Sequence, residues 1–149
     1  MSIYQHILLA VDLSAASKQV AIKALELAKT NQAKLTIVHV AEMMPVIDVN
    51  YDTMQAVEFD EDINQVLRGH AEKNLAAFIA ELNLNPQQQF LEQGDPRDEI
   101  IRIAEENRVD LIVLGSHGRH GLALLLGSTA NSVLHHSKCD VLAVRLADE

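Results

Sequence analysis

The sequence predicts one α/β domain over residues 1–149: a five-stranded parallel sheet, doubly wound, with helices on both faces. Three observations carry this expectation. Short apolar runs alternate strictly with segments of helical periodicity, in the order β-α-β-α-β-α-β-α-β. The runs, Ile7-Leu8-Leu9-Ala10-Val11 and Leu111-Ile112-Val113-Leu114 among them, are continuous, as suits strands covered on both faces. The 149 residues, 48% of them hydrophobic, match one domain with a sizeable core.

His6 to Asp12 is the first strand, an apolar run closed by an acid. Ser14 to Asn31 follows as a helix, with Val20, Ala24, Leu27 and Ala21, Leu25, Ala28 at helical spacing. Leu35 to Val40, rich in β-branched residues, is the second strand. Ala41 to Phe59 then makes a connection long enough to read as functional. Asp60 to Leu82 is a helix whose apolar face runs through Ile63, Val66, Leu67, His70, Ala71, Leu75, Phe78, Ile79 and Leu82. Its acidic start, Asp60-Glu61-Asp62, complements the helix dipole. Gln88 to Glu92 is a weaker strand. Gly94-Asp95-Pro96 supplies a turn residue, an N-cap and a proline at the first helical position, ahead of a helix over Arg97 to Asn107. The strand Leu111 to Gly115, a glycine-rich segment, a helix from about Gly127 to His136 and a strand from Val141 to Arg145 complete the chain.

Composition excludes several classes. A net charge of −9 argues against a nucleic-acid partner, because phosphate backbones are gripped by clustered Lys and Arg. No apolar run is long enough to cross a bilayer, and Met1 to Tyr4 does not open a secretory leader. The single cysteine, Cys139, has no internal disulfide partner, and the seven histidines show no zinc spacing, so no metal site is assigned and a reducing cytoplasm is the expected location.

The chemistry concentrates after the fourth strand, in Gly115-Ser116-His117-Gly118-Arg119-His120-Gly121 and then Gly127-Ser128-Thr129. Glycines let the backbone approach a ligand, and the first turn of the next helix offers N–H groups with no internal partner at the positive end of its dipole. That is a phosphate cradle, or else a tight strand-to-helix turn. In a doubly wound sheet ligands sit outside the carboxyl ends of the strands where the winding reverses. Asp12, Val40 and Gly115 all end strands, so they can share one crevice.

His6 to Ser14, the second strand ending in His39-Val40, the stretch Asp110 to Ser128 and the tail Cys139 to Val144 together resemble the universal stress protein family. The resemblance implies an adenine nucleotide alpha-hydrolase-like fold with strand order 3-2-1-4-5. It also implies ATP, with Mg held through its phosphates, as the cofactor. Family members that bind ATP carry Gly, two residues, Gly, nine residues, Gly, then Ser or Thr. Gly115 and Gly118 match the first pair, and Gly127-Ser128 the closing pair. By that correspondence Gly118, Gly127, Ser128 and the Thr129 amide would hold phosphates, with Gly115 and Leu114 near the sugar. Asp12 and Ala10 would line the adenosine side, and the Val40 backbone would recognise the adenine edge. Only eight residues separate Gly118 from Gly127, one fewer than the pattern, a length shared with a branch of the family that is not thought to bind ATP. The resemblance further implies a homodimer through the strand Val141 to Arg145.

Individual residues keep two readings each. Asp12 either caps the helix beginning near Ser14 or meets a ribose. Ser128 and Thr129 either cap their helix or bind phosphate. Arg119 either reaches a terminal phosphate or is an exposed loop arginine. His117 and His120 are loop histidines that could assist phosphate binding. His39 reads as a hydrogen-bonded crevice-wall residue, and His135-His136 as the end of a helix. No general base, nucleophile or Gly-x-x-x-x-Gly-Lys-Ser/Thr element is present, so hydrolysis is expected to be slow or absent. Two functions follow: an adenine-nucleotide sensor in the stress response, or a dimeric interaction protein that needs no nucleotide.

Overall fold

The structure, a computed structural model, describes residues 2–41, 61–116 and 127–146. Among the described residues nine elements alternate: β1 (His6–Val11), α1 (Ser17–Asn31), β2 (Lys34–Ala41), α2 (Glu61–Glu81), β3 (Gln88–Gln93), α3 (Pro96–Glu106), β4 (Leu111–Gly115), α4 (Ser128–His136) and β5 (Asp140–Val144). The strands form one parallel sheet in the order β3-β2-β1-β4-β5. The expected fold class and strand order are both present.

The period-two alternation of the strands splits the core in two. Ile7, Leu9 and Val11 of β1 face Val20, Ala21 and Ala24 of α1 and Leu75 and Phe78 of α2. Leu8 and Ala10 point the other way, onto Ile100, Ile103 and Ala104 of α3 and Ala130 and Val133 of α4. Helices therefore cover both faces, two on each, which is why the central strands read as unbroken apolar runs. Ile7, Leu8, Leu9, Ile112 and Val113 are wholly buried.

The amino edge of the sheet is closed by polar side chains. Asp110 accepts the backbone N–H groups of Gln5 and His6 at 2.8 and 3.0 Å. His6 Nδ1–H donates to the Asn107 carbonyl at 3.0 Å, and its Nε2 meets the wholly buried Thr36 hydroxyl at 2.6 Å. Since a carbonyl can only accept, Nδ1 carries the proton, and in the neutral ring Nε2 accepts from Thr36.

Asp95 caps α3 by accepting the Asp98 N–H at 3.3 Å, and Pro96 opens the helix, as the sequence indicates. Gly94 has φ +139°, which only glycine adopts readily, and its N–H donates to Ala41 O at 3.3 Å.

Three expectations need correction. Helix α1 begins at Ser17, three residues later than expected, because residues 14–16 form tight turns in which Ser17, Lys18 and Gln19 donate three residues back. The inward face of α2 is rotated from the expected one. Ile63 and Val66 are 46% and 61% exposed and His70 is exposed, whereas Asn64 is buried with Ala71, Leu75 and Phe78. Lastly, β2 runs on through Ala41, and β5 spans Asp140–Val144, leaving Arg145 outside the strand. The expected connection over residues 42–60 lies outside the described residues.

Candidate functional site

The winding reverses between β1 and β4, which are neighbours in the sheet. Val11 pairs with His39, and Leu9 pairs with Val113, so extending the second register by two residues sets Val11 level with Gly115. Val40 near the end of β2, Asp12 just past β1 and Gly115 at the end of β4 therefore lie at the carboxyl ends of three neighbouring strands. Ala10 and Leu114 lie buried one layer below.

Asp12 is half-buried, and its Oδ1 accepts the Ser14 N–H at 2.9 Å and the Ser17 hydroxyl at 2.5 Å. Its own N–H donates to Ser17 Oγ at 3.3 Å. Leu13 between them is left-handed, with φ 62°, a conformation that costs a non-glycine residue about 1–2 kcal/mol. The carboxylate thus organises the turn that leads into α1 but does not cap the helix, whose N-cap is Ala16 without a side-chain capping bond, so the capping role expected of Asp12 is corrected. Beside it, His39 Nδ1–H donates to the Val11 carbonyl at 2.9 Å, where the β1–β2 ladder runs out. The crevice-wall reading of His39 matches this bond.

At the end of β4 the Ser116 N–H donates to Val144 O at 2.8 Å, and the Ser116 carbonyl accepts the Gly127 N–H at 2.6 Å. That pair clamps together the two ends of the glycine-rich segment. His117, Gly118, Arg119 and His120 lie between them, outside the described residues. Gly127 is the N-cap of α4, with φ −62° and ψ 157°, and no side chain caps the helix. The expectation that Ser128 or Thr129 caps α4 is therefore corrected: both are inside the first turn, Ser128 exposed and Thr129 half-buried. Their N–H groups precede Asn131, whose N–H makes the first bond back, to Gly127 O at 2.9 Å.

The φ of Gly127 lies in a region open to any residue, and among the described glycines only Gly94 has a positive φ. Gly115 and Gly127 are thus not demanded by backbone conformation. What glycine provides at these positions is the absence of a Cβ at the mouth of the crevice.

Sequence reasoning missed Ser17 and Asn64, because each is a polar residue on a helix face read as apolar. The signal for Ser17 was present in its spacing, five residues beyond a strand-ending aspartate. A cavity of about 350 Å³ lies at the opposite end of the molecule, lined by Ile101, Ala104, Arg108, Val109 and Cys139 among others. Cys139 there has its thiol pushed up from its ordinary value, chiefly by burial, so it is a weak nucleophile. Among the described residues no group of three or more His, Cys, Asp or Glu could hold a metal, and no helix is long and apolar enough to cross a membrane.

A model of the universal stress protein family matches residues 3–145. Universal stress protein A homolog 1 of Coxiella burnetii is 40% identical over 141 residues, covering 95% of this chain and 96% of that relative. Among solved structures, a universal stress protein of Lactobacillus plantarum superposes with a TM-score of 0.74 at 24% identity, over 97% of this chain and all of that one, and shares the fold. A universal stress protein in complex with cAMP superposes with a TM-score of 0.60 at 27% identity, over 96% of this chain and 98% of that one. With a family match across nearly its whole length and a relative this close, the chain belongs to the universal stress protein family.

Proposed function

We propose that this protein binds an adenine nucleotide at the carboxyl edge of β1, β2 and β4 and acts as a sensor or switch in a cytoplasmic stress response. The observation that carries this reading is Gly127. It caps α4 without a side chain, in a conformation that needs no glycine, beside a strand that itself ends in Gly115. A Cβ at either position would crowd a bound phosphate or sugar. The related structure holding cAMP supports the same class of ligand.

In this reading the first-turn amides of α4, Ser128 and Thr129 among them, bind phosphate, with Gly118 and Arg119 contributing from the loop. Leu114 and Gly115 line the sugar, Ala10 and Asp12 the adenosine side, and the Val40 backbone the adenine edge. ATP brings Mg through its own phosphates, since the described residues supply no cluster for a metal. Asp12 is already committed to the turn through Oδ1, so its part is to hold that wall rigid. Nucleotide binding favours one state of the loops around the site and thereby alters a partner surface. Hydrolysis is slow or absent. The edge strand β5, half-buried from Val141 to Val144, serves as the homodimer interface.

A second reading, a dimeric interaction protein without nucleotide, is favoured by the eight-residue spacing between Gly118 and Gly127. Calorimetric titration with Mg-ATP and with cAMP separates the two. Saturable binding that a Gly118→Asp, Gly127→Asp double variant abolishes supports the nucleotide reading. No binding by the native protein leaves the dimer surface as the functional part.

A further inference from the structure

The cavity of about 350 Å³ lies where the last turns of α3 meet the two short links that lead into β4 and β5. Ile101, Ala104 and Val109 make its apolar part, Ala104 and Val109 buried and Ile101 half-buried. Cys139 adds a half-buried thiol to the wall. The Ser137 hydroxyl is turned back on its own link, donating to the Cys139 carbonyl at 3.2 Å and accepting the Cys139 N–H at 3.1 Å. The volume is at the lower end of what small-molecule sites occupy, roughly 300–1,000 Å³.

Glu105, Arg108 and Lys138 supply the charge at its rim. Lys138 Nζ stands 3.7 Å from Glu105 Oε1, so that acid is answered within the rim. Arg108 is not. Among the described residues Arg68, Arg97 and Arg102 each pair with a carboxylate, but the Arg108 guanidinium meets none. In a chain with 21 Asp and Glu against 12 Lys and Arg, an arginine without a carboxylate beside a cavity is set up to take one from a ligand. The acceptors around it are already engaged. At the end of α3 the Ile103 carbonyl takes the Asn107 N–H and side-chain amide, Ala104 O takes the Val109 N–H and Glu105 O the Arg108 N–H. Asp110 and Asp140, whose charges reach the Cys139 thiol, are bound to the Gln5 and His6 N–H groups and to the Tyr4 hydroxyl.

We propose that this cavity binds a small organic acid, its carboxylate held by the Arg108 guanidinium and its apolar body laid against Ile101, Ala104 and Val109. A guanidinium fork matches the two oxygens of a carboxylate, which fixes the orientation of the ligand. Removing the apolar body from water supplies the rest of the affinity. The site is at the opposite end of the sheet from the crevice formed by β1, β2 and β4, and the inference does not depend on the nucleotide reading.

Cys139 is the single cysteine of the chain, so its alkylation reads this cavity alone. The test follows the reaction of Cys139 with iodoacetamide by mass spectrometry at about pH 9, where a thiol raised by burial still reacts. Hexanoate is added as the probe, beside hexanol, which has the chain without the charge, and acetate, which has the charge without the chain. Hexanoate is expected to slow the reaction saturably, with half-protection at roughly 1–10 mM, and the other two to need about tenfold more. Arg108→Gln is expected to raise the hexanoate requirement about tenfold, with a melting temperature near native because the exposed guanidinium has no partner to lose. Absence of protection by hexanoate overturns the proposal. So does equal protection by hexanol, which would leave an apolar groove with no preference for an acid, or protection undiminished in Arg108→Gln.

Discussion

The Ser17 hydroxyl donates to Asp12 Oδ1 at 2.5 Å while its oxygen accepts the Asp12 N–H at 3.3 Å, so one buried side chain in the first turn of α1 grips both ends of the residue that closes β1. This grip holds a left-handed Leu13 at the lip of the crevice. Removing the hydroxyl with Ser17→Ala is expected to cost about 1–3 kcal/mol, the range for a buried bond to a charged acceptor. Urea denaturation, read as a shift in midpoint at constant slope, checks it.

At the opposite edge, Thr36→Val removes a wholly buried hydroxyl and leaves the half-buried His6 Nε2 without its 2.6 Å partner. A loss of about 1–3 kcal/mol is expected, with nucleotide affinity unchanged because the bond lies at the amino ends of the strands. Denaturation and an ATP titration on the same sample check both halves. A large fall in affinity at full stability would contradict the division of the sheet into a structural edge and a binding edge.

One substitution at two glycines should have different effects. Gly94→Ala forces a Cβ onto a residue at φ +139° and is expected to destabilise by about 1 kcal/mol or more, though its Cβ would meet only ordinary contacts, with Glu99 atoms at 3.7 Å. Gly127→Ala, at φ −62°, brings no backbone strain but puts a poorer N-cap residue on α4, so it is expected to change stability by less than about 1 kcal/mol. It should nonetheless weaken ATP binding, since the new methyl group stands at the head of α4. Thermal melts paired with calorimetry distinguish these outcomes.

Stability should fall on the alkaline side. The Tyr4 phenol donates to Asp140 Oδ2 at 2.9 Å, and that bond, with smaller contributions from burial and from the charges of Asp140 and Asp110, raises its pKa. Burial does the same for Cys139, partly offset by its contact with Ser137. Both groups hold their protons more tightly folded than unfolded. Their contribution is therefore complete below the unfolded values and is lost as pH rises through the folded ones. Melting temperature is expected to decline from about pH 9 upward. Tyr4→Phe should flatten the upper part of that decline and Cys139→Ala the lower.

Most of the fold was legible because local signals agreed with one another. The continuous runs of β1 and β4 announced strands buried on both faces, and Gly94-Asp95-Pro96 announced the start of α3 within one residue. Boundaries failed where a side chain overrode them. Nothing between Ser14 and Ser17 distinguishes a helix from the turns that the Asp12 carboxylate imposes there. On α2 the apolar identities of Ile63 and Val66 drew the predicted face toward solvent, because hydrophobicity was read residue by residue while the helix packs by angle.

By itself the sequence determined the class of the domain and the order of its elements, since hydrophobic period and turn chemistry are local properties of the chain. Tertiary structure decided what local properties cannot. It set the carboxyl ends of β2, β1 and β4 beside one another through the order of the strands. It showed that Gly127 needs no special φ, and it turned Asn64 inward. Each of these depends on which distant atoms surround a residue, and only the packed sheet sets that.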